Sequence, residues 1–581
     1  MKKILLLSAI LLVVSAAHSQ NYRLTMGEEL KLKKGTTDLD IVAADNTGLY
    51  FTETRLRMKS YFLIGATYGN DHKLYKVDKN FGEVFDKEYK KELKGLDFNS
   101  FQTLGNDLYL FATDYIKKEK AFKVYGSKID KTSGDLLGEF AELGSYNLES
   151  KKDDYEMKMT PVLGGKNFLL VSNISGNDRI TLGVDLLDKN FKKKESAVIR
   201  LEFDDDHFSL QDVVYTKSDK IVILGKVYED VQVGKRKRKR TVFKQYIMMI
   251  YDNKGVKDKD VVLENDSRYI ISGRLIEQNT GDLLLAGFYS NSPKKDALSG
   301  FFINKVDPVQ GMLTLSSFKE IGPEMLGKNY ADEGDDDDES KENKKQASKA
   351  AANDDEEDFP NAFIIKSVDI NPVDNSIIIT SEVSQYTYYT YTTSSYNATT
   401  RSYTNTTYHV HRFTNQDILV IDADKDGGIR WVNALAKSQL EEIRTSSSSQ
   451  SSFSSWSSYG YDYSSFFARS GGMPYYSSFA SMINNNNLIL LLNDHTSNNV
   501  NPNYGDRVRR VTNFRKRSNA YGVSIDLATG KMTRKFIVSN NDETVLMPRH
   551  AMVVGNDFFV PSWRQHALAK TELRFAKITV K

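Results

Sequence analysis

Asn106-Asp107-Leu108-Tyr109-Leu110-Phe111, followed by Ile129-Asp130-Lys131-Thr132-Ser133-Gly134, is the pair of stretches on which the reading of this chain turns. The first is a small polar turn leading into an apolar strand. The second ends a strand on an Asp-to-Gly turn. An aspartate can bond backbone N–H groups two residues on, and glycine takes a positive φ without penalty, so the second stretch reads as a hairpin. Both elements recur. The Asp-to-Gly turn returns at Val77-Asp78 to Gly82, Tyr251-Asp252 to Gly255, Val306-Asp307 to Gly311, Ile421-Asp422 to Gly427 and Ile525-Asp526 to Gly530. A degenerate copy at Leu187-Asp188 has Lys192 in the glycine position. Apolar strands that follow small turns begin near Gly48, Asp107, Asn167, Lys220, Asp282, Ser376, Asn487 and Asp557.

The first five of these strands start about 60 residues apart, which is the length of a four-stranded repeat. No long stretch has helical spacing, and the short strands are rich in Leu, Ile, Val, Phe and Tyr. The fold class expected is therefore all-β, a β-propeller of eight four-stranded blades, or seven if the first unit, with its extra Tyr61-Phe62-Leu63-Ile64, is irregular. The last unit supplies only Asp557 to Trp563 and Leu573 to Lys581, while Tyr22 to Leu32 is a strand without a unit. Pairing the two ends would complete the final blade and remove the open sheet edges. The pattern resembles β-propellers generally. The Gly-His and Trp-Asp pairs of WD40 repeats are missing, and one copy alone, Asp426-Gly427 to Trp431, resembles the quinone-enzyme type.

Residues 1–19 read as a secretory signal peptide: Lys2 and Lys3, an apolar run from Ile4 to Ala17, and small residues before Gln20. The remainder, 20–581, reads as one exported domain. The 581 residues include no cysteine, so disulfides, thiolate metal sites and cysteine nucleophiles are excluded. Lys plus Arg number 79 against 77 Asp plus Glu, a balance that gives no argument for nucleic acid as a partner.

In a blade with strands A to D, the A–B and C–D turns lie on one face of the ring, and the B–C and D–A connections on the other. The long insertions 230–240, 385–411 and 498–518 are expected as B–C loops, and 322–358 and 438–478 as D–A connections. One face is thus trim and the other decorated, and long loops on a rigid scaffold are where binding usually resides. Lys235, Arg236, Arg238 and Arg240 belong to a run of six cations suited to an anionic membrane surface or an acidic protein. Asp332 to Asp358 is too acidic to bury itself. Tyr386, Tyr388, Tyr389, Tyr391, Tyr396 and Tyr403 alternate with Thr and Ser, the composition of a β-hairpin rising off the ring. Phe453, Trp456, Tyr459, Tyr461 and Phe466 stand among Ser and Gly. Aromatics among small polar residues give rigid amphipathic contact area, so both sets are expected to bind a partner. The other reading is that they pack on one another across the channel mouth.

No nucleophile elbow, zinc-protease helix or phosphate loop is present, so no cofactor and no catalytic residue is expected and the chain reads as a non-enzyme. Asp422, Asp424 and Asp426 copy the start of a calcium loop, but Asn433 stands where its bidentate Glu belongs, which favours a turn. His409 and His411 share a strand face without a carboxylate companion, and Asp204-Asp205-Asp206-His207 is the densest titratable group.

The signal ending and the Asn, Lys and Tyr richness resemble exported proteins of Bacteroidota. That resemblance implies a periplasmic protein docked to an outer-membrane or periplasmic complex, an accessory or plug subunit of the type 9 secretion translocon in its specific form. The alternative is a propeller that takes carbohydrate at its channel mouth.

Overall fold

The computed structural model describes residues 22–32, 36–61, 65–148, 154–175, 179–233, 238–261, 263, 268–291, 299–321, 330–331, 362–397, 402–446, 473–498, 508–541, 544–564 and 571–581. They form eight antiparallel sheets of four principal strands, arranged as successive blades. The first blade is Thr36–Asp45, Gly48–Tyr61, Gly65–Val77 and Glu83–Glu88; the second is Asp97–Leu104, Asp107–Ile116, Ala121–Ile129 and Ala141–Asn147. Blades three to five repeat the pattern through Met312–Glu320. Blade six is built on Ala362–Ile370, Ile377–Asn397, Ser402–Ala423 and Ile429–Leu435, and blade seven on Phe479–Asn484, Asn487–His495, Ser518–Asp526 and Met532–Ser539. Six of the eight expected B-strand starts coincide with the observed ones, and the others fall one residue later, at Leu283 and Ile377.

The eighth blade joins the two ends of the chain. Val545–Leu546 and Met552–Val554 pair with Asp557–Arg564, which pairs with Thr571–Val580. Tyr22–Met26 then adds as the outer strand, Tyr22 opposite Val580 and Met26 opposite Ala576, and Leu30–Leu32 continues along the same edge. The ring is therefore closed by its own N-terminal segment, as the orphan strand implied.

Why the B strands are uninterrupted apolar runs is clear from their surroundings. Period-two alternation sends successive side chains to opposite faces, and each face packs on a neighbouring blade. Leu169 and Val171 lie in a core shared with blade four, whereas Phe168 and Leu170 lie in one shared with blade two. Eight such cores join successive blades, and the core between blades eight and one brings Phe559, Trp563 and Phe575 against Ile41, Phe51 and Tyr75. The count of blades and the closure of the ring follow from the same packing.

The turns hold the trim face together. Asp78 Oδ1 accepts from the N–H groups of Asn80 (2.8 Å) and Gly82 (2.9 Å), and Asp188 Oδ1 likewise from Asn190 (2.8 Å) and Lys192 (2.9 Å). In these two turns the positive φ falls on Phe81 and Phe191, at 67° and 66°. Lys192 is accepted because its own position is not the left-handed one; in the other copies Gly134, Gly255, Gly311, Gly427 and Gly530 carry the positive φ. Neighbouring blades are tied through these turns: Tyr109 Oη donates to Lys189 O at 2.9 Å and Trp431 Nε1 to Leu527 O at 3.0 Å. The innermost A strands carry β-bulges in five blades, at Ile41/Ala43, Phe98/Ser100, Leu210/Asp212, Ile270/Ser272 and Ile365/Ser367.

Candidate binding face

The expected hairpin of blade six is a tower. Ile377–Asn397 and Ser402–Ala423 stay in register beyond the blade, with Tyr386 opposite Phe413, Tyr388 opposite His411, Tyr391 opposite Tyr408 and Tyr396 opposite Tyr403. A third strand, Gln439–Ser446, takes up the free edge of the second strand from Asn415 to Tyr408, above the point where Ile429–Leu435 lets go. The start of the 438–478 insertion is thus part of the tower, which the sequence reading treated as loop.

Aromatic residues divide between the tower's two faces. Tyr388 Oη and His409 Nδ1 lie 2.6 Å apart, and Tyr386 Oη and His411 Nδ1 2.9 Å apart. Burial, reinforced by His409, pushes His411 down to about 4, so its imidazole is neutral near pH 7. On the other face Tyr389 is buried, with the Arg412 guanidinium 5.4 Å from its ring and Glu442 paired to Arg412 at 2.6 Å. Tyr391 stacks on Tyr408 with centroids 5.2 Å apart. Tyr386, Tyr388 and Tyr391 are half-buried, whereas near the tip the rings are presented to solvent, Tyr396 being 55% and Tyr403 73% exposed with centroids 5.0 Å apart. Of the six tyrosines expected to bind, these two are presented and the lower four build the tower or its flanks.

The root of the tower holds a buried polar network that sequence reasoning missed. Glu382 and Lys437 are both fully buried and pair at 2.7 Å, while the other Glu382 oxygen takes Lys366 at 3.0 Å and the Ser478 hydroxyl at 2.6 Å. Burial alone would raise the Glu382 carboxyl, but Lys437 and Lys366 outweigh it and hold it at about 2. Glu441 accepts the N–H groups of Tyr475 (2.8 Å), Tyr476 (2.9 Å) and Ser477 (2.8 Å), and Gln439 Oε1 accepts that of Ser478 at 2.8 Å. The returning end of the insertion is pinned under the tower. Its signal in sequence was only Glu382 within the strand Ile377–Asn397 and Lys437 in the short link between Ile429–Leu435 and Gln439–Ser446.

Other insertions knit into the same face. Leu440 N donates to Val511 O and Val511 N to Ser438 O, binding the blade-seven loop to the third tower strand. Tyr330–Ala331 runs parallel to Val508–Arg509. This loop carries exposed Arg509, Arg515 and Lys516, a basic set not singled out from the sequence. The insertions therefore do pack on one another, and they also display contact groups.

On blade four, Lys220–Val233 and Arg238–Asp252 extend as a hairpin, with Val233 opposite Arg238 and Val231 opposite Arg240. Lys235 and Arg236 lie outside the described residues, as do the side chains of Arg238 and Arg240. So do Phe453, Trp456, Tyr459, Tyr461, Phe466 and the acidic run 332–358. His207 ties the hairpin's base to the preceding turn: Nδ1 is 2.6 Å from Asp204 and Nε2 2.9 Å from Asp230, which also holds Lys239 at 2.7 Å. Asp230, then Asp204, pull the His207 imidazole above its ordinary range.

The calcium-like segment is a turn whose capping residue is Asp424, where the sequence reading had placed Asp422. Asp424 Oδ1 accepts from Asp426 N and Gly428 N, both at 2.8 Å. Asp422 is buried in the strand and paired with Arg430, and Asp426 is paired with Lys425. The three carboxylates are engaged separately, and among the described residues no group of three or more His, Asp or Glu is arranged to hold a metal.

No family model and no curated protein matches the chain. Solved structures do. A mutant of the apocarotenoid oxygenase of Synechocystis aligns over 90% of this chain and 94% of its own, at 9% identity and a TM-score of 0.31. The β-propeller domain of the trilobed protease from Pyrococcus furiosus, described as having an open velcro topology, aligns over 69% and 93%, at 10% and 0.29. The likeness is one of fold class. The expectation of a non-enzyme is withdrawn, since the aligned structures include one named as an oxygenase, while the low identity and TM-score carry no activity over to this chain.

Proposed function

We propose that this chain is an exported scaffold of the bacterial cell envelope that docks to an outer-membrane or periplasmic complex through its decorated face. The observation that carries the reading is the tower: a three-stranded extension braced by buried ion pairs at its root and ending in an exposed tyrosine pair. A rigid element that orders aromatic rings in water is costly unless a partner covers them, and rigid aromatic anchors are what binding surfaces use. The basic hairpin of blade four and the basic loop of blade seven would flank such a contact and suit an acidic or anionic surface. In its specific form the partner is a protein-secretion translocon of the type 9 class.

Purification from native membranes in mild detergent tests this. An outer-membrane partner should accompany the full chain and be lost when 390–407 is replaced by a short turn. Recovery of the intact chain as a bare monomer refutes the reading.

A second reading is favoured by one residue. Asp212, on an A strand, has its carboxyl pushed up by burial against the pull of Arg274. An acid held towards its neutral form beside a channel is what general-acid chemistry on a carbohydrate needs.

A further inference from the structure

The blade-four hairpin leaves its sheet at a pivot. The A strand Phe208–Tyr215 accompanies the B strand only as far as Phe208 opposite Val227, and the D strand Lys257–Val261 accompanies the C strand only as far as Val261 opposite Met248. Beyond that level, among the described residues, Lys220–Val233 and Arg238–Asp252 pair with each other alone, from Tyr228 opposite Phe243 to Val233 opposite Arg238. The register slips where this extension begins: Val227 is opposite Gln245 and Tyr228 opposite Phe243, so Lys244 is an extra, bulged residue. A bulge interrupts the ladder and bends its strand, and a lone two-stranded ribbon is marginally stable at best. What holds this hairpin against the ring is therefore decided at its base.

There His207 reaches both ways. Its carbonyl accepts Tyr228 N at 2.9 Å, its Nδ1 lies 2.6 Å from Asp204 Oδ1 in its own turn, and its Nε2 lies 2.9 Å from Asp230 Oδ2 on the hairpin. A carboxylate accepts hydrogen bonds and donates none, so a ring that meets a carboxylate at each nitrogen carries a proton on both. The geometry is that of an imidazolium. Asp230 and Asp204 are the charged groups that act on it; Lys239 approaches Asp230 at 2.7 Å and feels Asp206 and Asp204, and Glu229 is paired with Lys244 at 3.1 Å. A neutral ring has one N–H and one lone pair, and can keep only one of the two carboxylates. Asp204 Oδ1 is fixed beside Nδ1 by the His207 backbone N–H at 2.9 Å, so the remaining proton stays there and Nε2 turns a lone pair on Asp230. Asp230 retains Lys239 and the Thr241 hydroxyl, 2.9 Å away, both within the hairpin. The hairpin thus stays zipped while its side-chain tie to the turn is lost. The two carboxylates favour the charged ring and raise its pKa, so the tie is complete below the ordinary histidine value and disappears as pH climbs through the raised one.

We propose that His207 is a proton-operated clasp: doubly protonated it holds the basic hairpin of blade four against the ring, and on losing one proton it releases Asp230 and lets the hairpin swing about the bulge at its base. The device lies in the hairpin and its turn, and is independent of the tower and of whatever surface the hairpin meets.

The chain has no cysteine, so a single Gln232→Cys carries a nitroxide on the hairpin above the pivot. The full mature chain is followed over one pH series by the line shape of the label and by NMR of the His207 ring protons. The label should pass from constrained to mobile with rising pH, at a midpoint that coincides with the ring titration. His207→Ala should lose this transition and leave the label mobile at every pH, whereas His207→Arg, a permanent cation with several donors, should keep it constrained at every pH. A label that does not change through the ring titration, or a transition that survives in His207→Ala, overturns the proposal.

Discussion

Replacing Lys437 with methionine should loosen the tower at its root. Lys437 and Glu382 are both fully buried, and the substitution leaves Glu382 with Lys366 and Ser478 alone. Breaking a buried pair by removing one partner costs about 3–5 kcal/mol, because the remaining charge stays desolvated. The same site sets a pH dependence. Glu382 is held at about 2 against an ordinary 4.5, so its contribution is present above the ordinary value and is lost as pH falls towards 2. At about 1.4 kcal/mol per unit this amounts to about 3 kcal/mol of stability between pH 5 and 2. In K437M the carboxyl loses the first of the charges opposing its protonation, and that pH dependence should shrink. Urea unfolding at several pH values reads the global effect. Hydrogen exchange of the Tyr475, Tyr476, Ser477 and Ser478 amides reads the local one, since these N–H groups are held by Glu441 and Gln439. A K437M chain within about 1 kcal/mol of wild type at pH 7, with those amides equally protected, would refute the reasoning.

Gly522→Ala should open the N-terminal closure, because a Cβ there would lie 2.3 Å from the Tyr22 ring; raised protease sensitivity of 22–32 is the readout, and adding Tyr22→Ala should relieve it. His207 should titrate above its ordinary value and fall back in Asp230→Asn, as read by NMR of the ring protons. Because that pKa is raised, the stabilising contribution is complete below the unfolded value and disappears as pH climbs through the folded one. Asp424→Ala removes the acceptor of two backbone N–H groups and should cost about 1–2 kcal/mol in chemical unfolding, with or without added calcium.

The ring was legible because its turns are local chemistry. An aspartate that caps two N–H groups leaves the same signature in seven of the eight blades, and the small turn ahead of each apolar strand let the strand starts be placed to within one residue. Even the copy with Lys192 folds alike, since the strained position is Phe191. Closure was legible as an unpaired strand at one end and an incomplete blade at the other. The tower was half legible: alternating Tyr and Thr implied a hairpin, but Gln439–Ser446 pairs non-locally with a strand more than twenty residues away, and nothing in its own pattern marks that. Which tyrosines are buried depends on what packs against them, so Tyr389 and Tyr396 looked equivalent. The His207 clasp escaped notice for a related reason. Asp204 is close to it in the sequence, but Asp230 meets the ring only once Phe208 pairs with Val227.

The central claim is that the decorated face, led by the tower tip, meets a partner. Photo-crosslinking in living cells tests it most directly, with a crosslinking amino acid at position 396 or 403 compared with the same group at Lys254 on the trim face. The account predicts a discrete high-mass adduct from 396 and 403 and none from 254; adducts from 254 with none from the tip would contradict it.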